Sequence, residues 1–430
     1  MKNLPKLVFS NESGEIYDHP SLLMAVFDGG RTRLPSEEEL IPLPRGSDLF
    51  FLPDRNPVGI DPESGSEVAL EDCGAAVSFA APAFLRLAHP VFVKKKDAVV
   101  LPLFAYAPLG FLNGRFYTCA VRIDRSRRQD PSRFDIGEVK SLVDRRLRRD
   151  GKNRLITHLA HCAVVYQCRA AQNFFYGREE CPLPASPGCN SECAGCLSHQ
   201  PEGSFKAAHE RIRFVPSPEE IAEVALSHLE RVKNSVVSFG QGCEGEPLLA
   251  GGVIEKAVTL IRKETPGGTI NINTNGCFPD TVKKLCDAGL DSLRLSLNSA
   301  RELCYNRYFN PRGYSFKDAL LSARIVHENG GFVSLNLFIF PGFTDTEEEF
   351  TALEEAIEYT GADMIQMRNL NIDADFYIES LGREFFKSGM GLLEFMRRVR
   401  ADFPRIRFGY FNPRLLKNRR LISEKRSGCL

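Results

Sequence analysis

From residue 217 to residue 370 the chain alternates two apolar patterns. Short runs of strand length and composition stand at Val236–Phe239, Thr269–Thr274, Ser292–Leu297, Phe332–Phe340 and Met364–Leu370. Between them, apolar residues recur at helical spacing. The helix signals are specific. Ser217-Pro218-Glu219-Glu220 combines an N-cap serine, a proline at the first helical position and a capping-box glutamate, ahead of Ile221, Val224, Ala225 and Leu229. Further helices are expected over Val253–Arg262, from about Pro279 to Gly289, from Ser315 to Gly330, and from a cap at Thr346 to Gly361. With Ala185–Pro187 as a short first strand, the pattern gives six strand-helix units. Strands joined by helical crossovers imply a parallel sheet with right-handed connections, hence an α/β fold with a partial (β/α)6 barrel over residues 181–403.

Upstream the pattern differs. Residues 1–135 are rich in Pro and Gly and carry short strand-like runs at Leu49–Leu52, Ala98–Leu101 and Phe116–Val121, which predicts a β-rich accessory region. Residues 136–180 read as a helical connector, with Val139, Leu142, Val143 and Leu147 at helix spacing and a second helix from Asn153 to about Phe175. Arg145, Arg146, Arg148 and Arg149 cluster on the first of these helices. A solvated face explains such a run; a phosphate or RNA contact is the alternative. Cys162, Cys168 and Cys181 could hold a second metal, but an offset of six does not align two helical ligands, and buried apolar cysteines are common. Residues 404–430 read as a basic tail that includes Lys417-Asn418-Arg419-Arg420.

Composition adds little. With 55 Lys+Arg against 55 Asp+Glu, no overall field draws the chain to nucleic acid or anionic membranes. The most apolar stretch, Gly74–Val93, contains Pro82, Arg86, His89 and Pro90 and makes a poor spanning helix, so no membrane partner is expected. Thirteen cysteines, an odd number without an export signal, point to reduced thiols in the cytoplasm.

The chemistry concentrates in Pro187-Gly188-Cys189-Asn190-Ser191-Glu192-Cys193-Ala194-Gly195-Cys196. Cysteines at offsets 0, 4 and 7 could form a helical stripe, but Pro182, Pro184, Pro187, Gly188 and Gly195 oppose a regular helix there. A loop that folds back can aim three thiolates at one centre. Soft sulfur ligands suit an iron-sulfur cluster or zinc. Three ligands would leave one iron of a cluster open to a small molecule, whereas His199 or Cys181 could complete a zinc set.

The spacing C-x3-C-x2-C, here CNSECAGC, resembles the hallmark of the radical S-adenosylmethionine (SAM) superfamily. Val236-Val237-Ser238-Phe239-Gly240-Gln241-Gly242-Cys243-Glu244-Gly245-Glu246-Pro247 is similar to that family's second-strand GGEP segment. Two departures stand out: Gly195 replaces a frequent aromatic residue before the third cysteine, and Cys243-Glu244 interrupts the glycine run. The resemblance implies a partial barrel and one 4Fe-4S cluster on Cys189, Cys193 and Cys196. It places SAM at the open iron, with Gly245, Glu246 and Pro247 near its amino group, Gly242 allowing close backbone approach, Ser296 and Asn298 near the ribose, and Asn273 or Asn275 in nearby polar contacts. It implies a one-electron reductant such as flavodoxin or ferredoxin. Reductive cleavage of SAM would yield a 5′-deoxyadenosyl radical that takes hydrogen from a small molecule, a peptide or RNA. These residues fall at the carboxyl ends of the expected strands, where parallel barrels keep their sites. A non-catalytic zinc protein is the rival reading. Tyr305–Gly313 and Arg368–Asp373 are candidates for substrate contact or a solvated lid.

Overall fold

The computed structural model describes residues 4–11, 13–202 and 204–416. Its centre is a curled parallel sheet in sequence order, β1 (Glu180–Pro182), β2 (Val236–Phe239), β3 (Thr269–Thr274), β4 (Ser292–Leu297), β5 (Phe332–Ile339), β6 (Met364–Asn369) and β7 (Arg407–Gly409). Every neighbouring pair is parallel. Helices cover the outer face, among them α1 (Ile136–Asp150), α2 (Arg154–Val164), α3 (Arg169–Tyr176), α4 (Pro218–Arg231), α5 (Gly251–Glu264), α6 (Pro279–Ala288), α7 (Glu302–Phe309), α8 (Phe316–Glu328) and α9 (Glu347–Thr360). The Ser217 hydroxyl accepts from the Glu220 amide at 3.2 Å and the Glu220 carboxylate accepts from the Ser217 amide at 2.8 Å, the reciprocal cap the sequence announces.

The differences from expectation have local causes. The first strand lies at Glu180–Pro182 rather than Ala185–Pro187, because the Ala185 and Ser186 amides donate to the Glu244 carboxylate instead of a ladder. A seventh strand, β7, pairs with β6 inside the stretch read as a tail; Lys417–Arg420 lie outside the described residues. The single helix expected from Asn153 is two, broken at left-handed Gln167 (φ 49°), where the Cys168 amide turns back to the Cys162 carbonyl. Thr346 precedes α9 as expected, but its hydroxyl donates to the Phe343 carbonyl. Tyr305–Phe309 is not a solvated lid. It is part of α7, and its weak helix formers are held by burial, with Tyr305 stacked on Phe309 at 4.5 Å between centroids.

The N-terminal region is antiparallel and β-rich, as in the pairings of Lys6–Ser10 with Ile16–Met24 and of Asp48–Leu52 with Gly74–Phe79. Ala98–Leu101 forms no strand, and the Leu101 amide donates to Asp373 instead. This region packs on the β6 side of the barrel. The Asn369 side chain accepts from the Arg86 amide and donates to the Phe84 carbonyl, both at 2.9 Å. Arg55 and Asp373 form a fully buried ion pair at 2.9 Å. No helix among the described residues is long and apolar enough to cross a membrane.

Candidate functional site

Strands buried on both faces of a parallel sheet are ordinarily apolar throughout. Here they are not. Ile270, Ile272, Leu293, Leu295, Leu335 and Leu337 are buried in the core, whereas the alternate positions carry Asn271, Asn273, Arg294, Ser296, Ser334 and Asn336. Asn273, Arg294, Ser296 and Asn336 line a cavity of about 360 Å3, joined by Arg368 from β6 and Asn412 beyond β7. Burying so many polar groups is costly unless they are paired. Some are paired among themselves: Asn271 donates to Ser238 at 2.8 Å, and Asn412 donates to Glu180 at 2.8 Å. Asn336 Oδ1 and Arg294 Nε are buried with no partner in the protein. Burial, with the Arg368 charge adding to it, pushes Arg294 down to about 9. This interior is built to face polar ligands.

Cys189, Cys193 and Cys196 share the wall of the same cavity. Their loop is clamped from several sides. The Glu192 and Ala194 amides donate to the Phe309 and Tyr308 carbonyls at 2.9 Å, and the Arg312 amide donates to the Asn190 carbonyl at 2.9 Å. Ser191 meets Tyr314 at 2.8 Å, and Tyr314 meets Tyr305 at 3.1 Å. Asn275 donates to Asn190 and Ser191 at 2.9 and 3.1 Å. Burial pushes the Cys189 and Cys193 thiols up. Arg211 opposes this, its guanidinium donating to Cys196 Sγ at 3.4 Å and to Ser198 at 3.0 Å.

The glycine-rich turn after β2 lies against this loop. Glu244 is fully buried and accepts from the amides of Ala185, Ser186, Gly240 and Gln241, so one carboxylate joins the start of the cysteine loop to the turn. Glu246 accepts from the Asn275 amide at 2.8 Å, the Leu248 amide at 3.0 Å and the Thr274 hydroxyl, and burial pushes it up to about 7. Gly245 is required by space: a Cβ there would stand 1.8 Å from the Gly188 carbonyl oxygen. That oxygen belongs to the backbone and cannot swing aside as a side chain would. Gly245→Ala is therefore expected to lower stability by about 1–3 kcal/mol in chemical denaturation, the usual cost of overpacking. Gly252→Ala, where nothing lies within 4 Å, should cost nothing.

Of the expected residues, Cys189, Cys193, Cys196, Gly242, Gly245, Glu246, Pro247, Asn273, Asn275 and Ser296 line the one cavity. Asn298 does not. It is fully buried on the helix side, donating to the Cys304 carbonyl and the Tyr377 hydroxyl, both at 3.2 Å. Asp373 is also structural, paired with Arg55. Arg294, Asn336 and Arg211 escaped sequence reading, although period-two polar residues inside apolar parallel strands were a usable signal. Gly195 has a partner explanation: the Tyr308 hydroxyl sits 2.9 Å from where its Cβ would be, so an aromatic from α7 occupies the space that an aromatic at 195 would need.

The geometry disfavours a single zinc ion on the loop. One ion at about 2.3 Å from each sulfur needs donors within about 4 Å of one another. Among the described residues, the loop thiols form no such set within 4.8 Å. His199 is exposed and not on the cavity wall, and Cys181 is buried within β1, also off that wall.

Residues 183–353 match the family model described as Radical SAM superfamily. Residues 183–353 thus carry a radical SAM domain, and members of that family use a 4Fe-4S cluster and SAM. No curated relative matches the sequence. Among solved structures the chain is similar to the FeFe-hydrogenase maturase HydG, at 15% identity over 63% of this chain and 65% of that one, with a TM-score of 0.38. It is similar to methylornithine synthase PylB at 16% identity over 64% and 74%, TM-score 0.38. It is also similar to Streptococcus suis SuiB, solved with precursor peptide SuiA, at 13% identity over 59% and 52%, TM-score 0.39. The chain spans just under two thirds of the maturase's length, and likenesses at this level carry no argument about its reaction.

Proposed function

We propose that Cys189, Cys193 and Cys196 hold one 4Fe-4S cluster and that the adjoining cavity binds SAM and a small polar substrate. The supporting observation is convergence: three thiols, a glycine turn and unpartnered buried polar atoms meet in one cavity at the carboxyl ends of the strands. When bound, the pair supplies one-electron reductive cleavage of SAM, with the electron from a flavodoxin- or ferredoxin-type donor. The chain's own residues bind, orient and exclude water. Gly242, Gly245 and Pro247 offer close-approach backbone, Glu246 holds the turn against β3, and Ser296 and Asn336 present hydrogen-bonding groups across the cavity. Asn275 positions the cysteine loop through Asn190 and Ser191.

Arg294 and Arg368 present guanidinium groups on a wall that also carries Glu180, Glu244 and Glu246, and they offer pairing partners to a carboxylate or phosphate of the substrate. An RNA substrate is less well supported. Arg146 of the basic cluster is buried against Asp150 and Ser227, and only Arg145, Arg148 and Arg149 of the four face solvent. Anaerobically reconstituted protein given dithionite and SAM should release 5′-deoxyadenosine and methionine. Fully loaded protein that releases neither would overturn the proposal.

A further inference from the structure

The helical connector carries a second group of soft donors. His158 and Cys162 stand four residues apart on α2, hence on one face of that helix, and their Nε2 and Sγ atoms are 3.5 Å apart. Cys243 comes from a distant place in the chain, the glycine-rich turn after β2, where it interrupts the glycine run. One ligand atom from each of His158, Cys162 and Cys243 lies within 4.8 Å of both others. Among the described residues this is the one His/Cys/Asp/Glu set that meets this spacing. Tetrahedral bonds of about 2.0–2.3 Å put donors about 3.3–3.8 Å apart, so the helical pair is already at binding distance and Cys243 needs only a small shift.

A candidate fourth donor stands farther off, on the wall of one small cavity shared with the two cysteines of this set. A cavity of about 40 Å3 is lined by Cys162, Cys243, Cys168 and His209. The His209 ring packs edge-on against Tyr166 at 5.2 Å between centroids, and its amide donates to the Leu197 carbonyl just past the cysteine loop. Two sulfurs and two imidazoles are a common donor set for zinc.

We propose that His158, Cys162, Cys243 and His209 bind one divalent zinc-type ion, separate from the loop cysteines, and that this ion pins the glycine-rich turn to the helical connector. The turn is otherwise fastened through Glu244 to Ala185 and Ser186, through Gly245 to Ser186, and by the Ile212 amide donating to the Cys243 carbonyl at 2.8 Å. An ion at Cys243 would add a further tie to the segment that forms one cavity wall. It would also give the Cys243-Glu244 interruption a purpose: Glu244 joins the turn to the cysteine loop and Cys243 joins it to α2. Binding expels the thiol protons to solvent and involves no redox step. Cys181, buried within β1, is not on this cavity's wall and takes no part.

The test removes the competing thiols first. A full-length variant with Cys189, Cys193 and Cys196 all changed to alanine is expected to retain one zinc per chain. With cobalt(II) it should show sulfur-to-metal charge-transfer bands and strong tetrahedral visible absorption. Adding Cys162→Ser, Cys243→Ser or His158→Ala should weaken binding by more than about 100-fold, beyond the loss that an outer hydrogen-bond partner causes. Wild-type protein carrying its cluster should hold zinc alongside iron. Where a serine variant fails to fold, the cobalt spectrum of the parent decides, since absence of a sulfur charge-transfer band contradicts the site. No bound metal in the loop variant, or a Cys162–Cys243 disulfide in protein kept free of oxygen, would overturn the proposal. Unchanged affinity in His209→Ala would overturn the fourth ligand alone. Because loop thiols and SAM take no part in these readouts, the result is independent of the proposed reaction.

Discussion

Changing Cys193 to alanine should reduce the iron of anaerobically reconstituted protein from about four atoms per chain to below about one, and 5′-deoxyadenosine formation to background. Cys193 is the decisive position because the backbone on each side of it is fixed: the Glu192 and Ala194 amides are both bonded to carbonyls at the end of α7. The loop cannot slide to offer another ligand. Nor can a neighbouring thiol substitute, since Cys181, Cys277 and Cys304 are buried and none lines the cavity. The paired control is His199→Ala, which should leave iron and product unchanged because His199 is exposed and not on the cavity wall. Equal loss in the two variants would point to a four-ligand centre and against the open position.

The second large effect concerns the accessory region. Asp373→Ala leaves Arg55 charged and buried, and breaking one side of such a pair costs about 3–5 kcal/mol. Two further losses add to it. The Leu101 amide loses its acceptor at 2.8 Å, and the next helix, Ala374–Leu381, loses the cap that Asp373 supplies to Asp375 and Phe376. Arg55 keeps its bonds to the Pro53 and Val99 carbonyls, so the damage should concentrate at the junction. Chemical denaturation gives the magnitude, and hydrogen exchange should show residues 84–101 opening first. The double change Arg55→Met, Asp373→Leu should be less destabilising than either charge removed alone. A cost below about 1 kcal/mol for Asp373→Ala would mean that this pair does not hold the accessory region to the barrel.

The barrel was legible because its signals are local. Ser217-Pro218-Glu219-Glu220 announces a helix start by side-chain chemistry alone, and β3 and β4 match their apolar runs residue for residue. The cysteine loop and the Gly240–Pro247 turn were legible for the same reason, each being a compact motif. What escaped depends on contacts between distant segments. α7 forms from Tyr, Asn and Phe residues that favour helix weakly, and the core that buries them is assembled from elsewhere in the chain. The first strand was misplaced by three residues or more because a glutamate about sixty positions downstream takes the Ala185 and Ser186 amides. Asn298 followed the strand that carries Ser296, but it lies past the strand's end and turns toward Tyr377. His158 is inconspicuous in the sequence because its pairing with Cys162 depends on a regular helix turn, and Cys243 reaches them only through the fold.

The central claim is that three loop thiolates hold a cluster with one iron left for SAM, and spectroscopy of the reduced protein tests it most directly. Electron paramagnetic resonance on oxygen-protected protein should show a 4Fe-4S signal that changes shape when SAM is added. A signal that SAM does not alter, or zinc in place of iron on the loop, would contradict it.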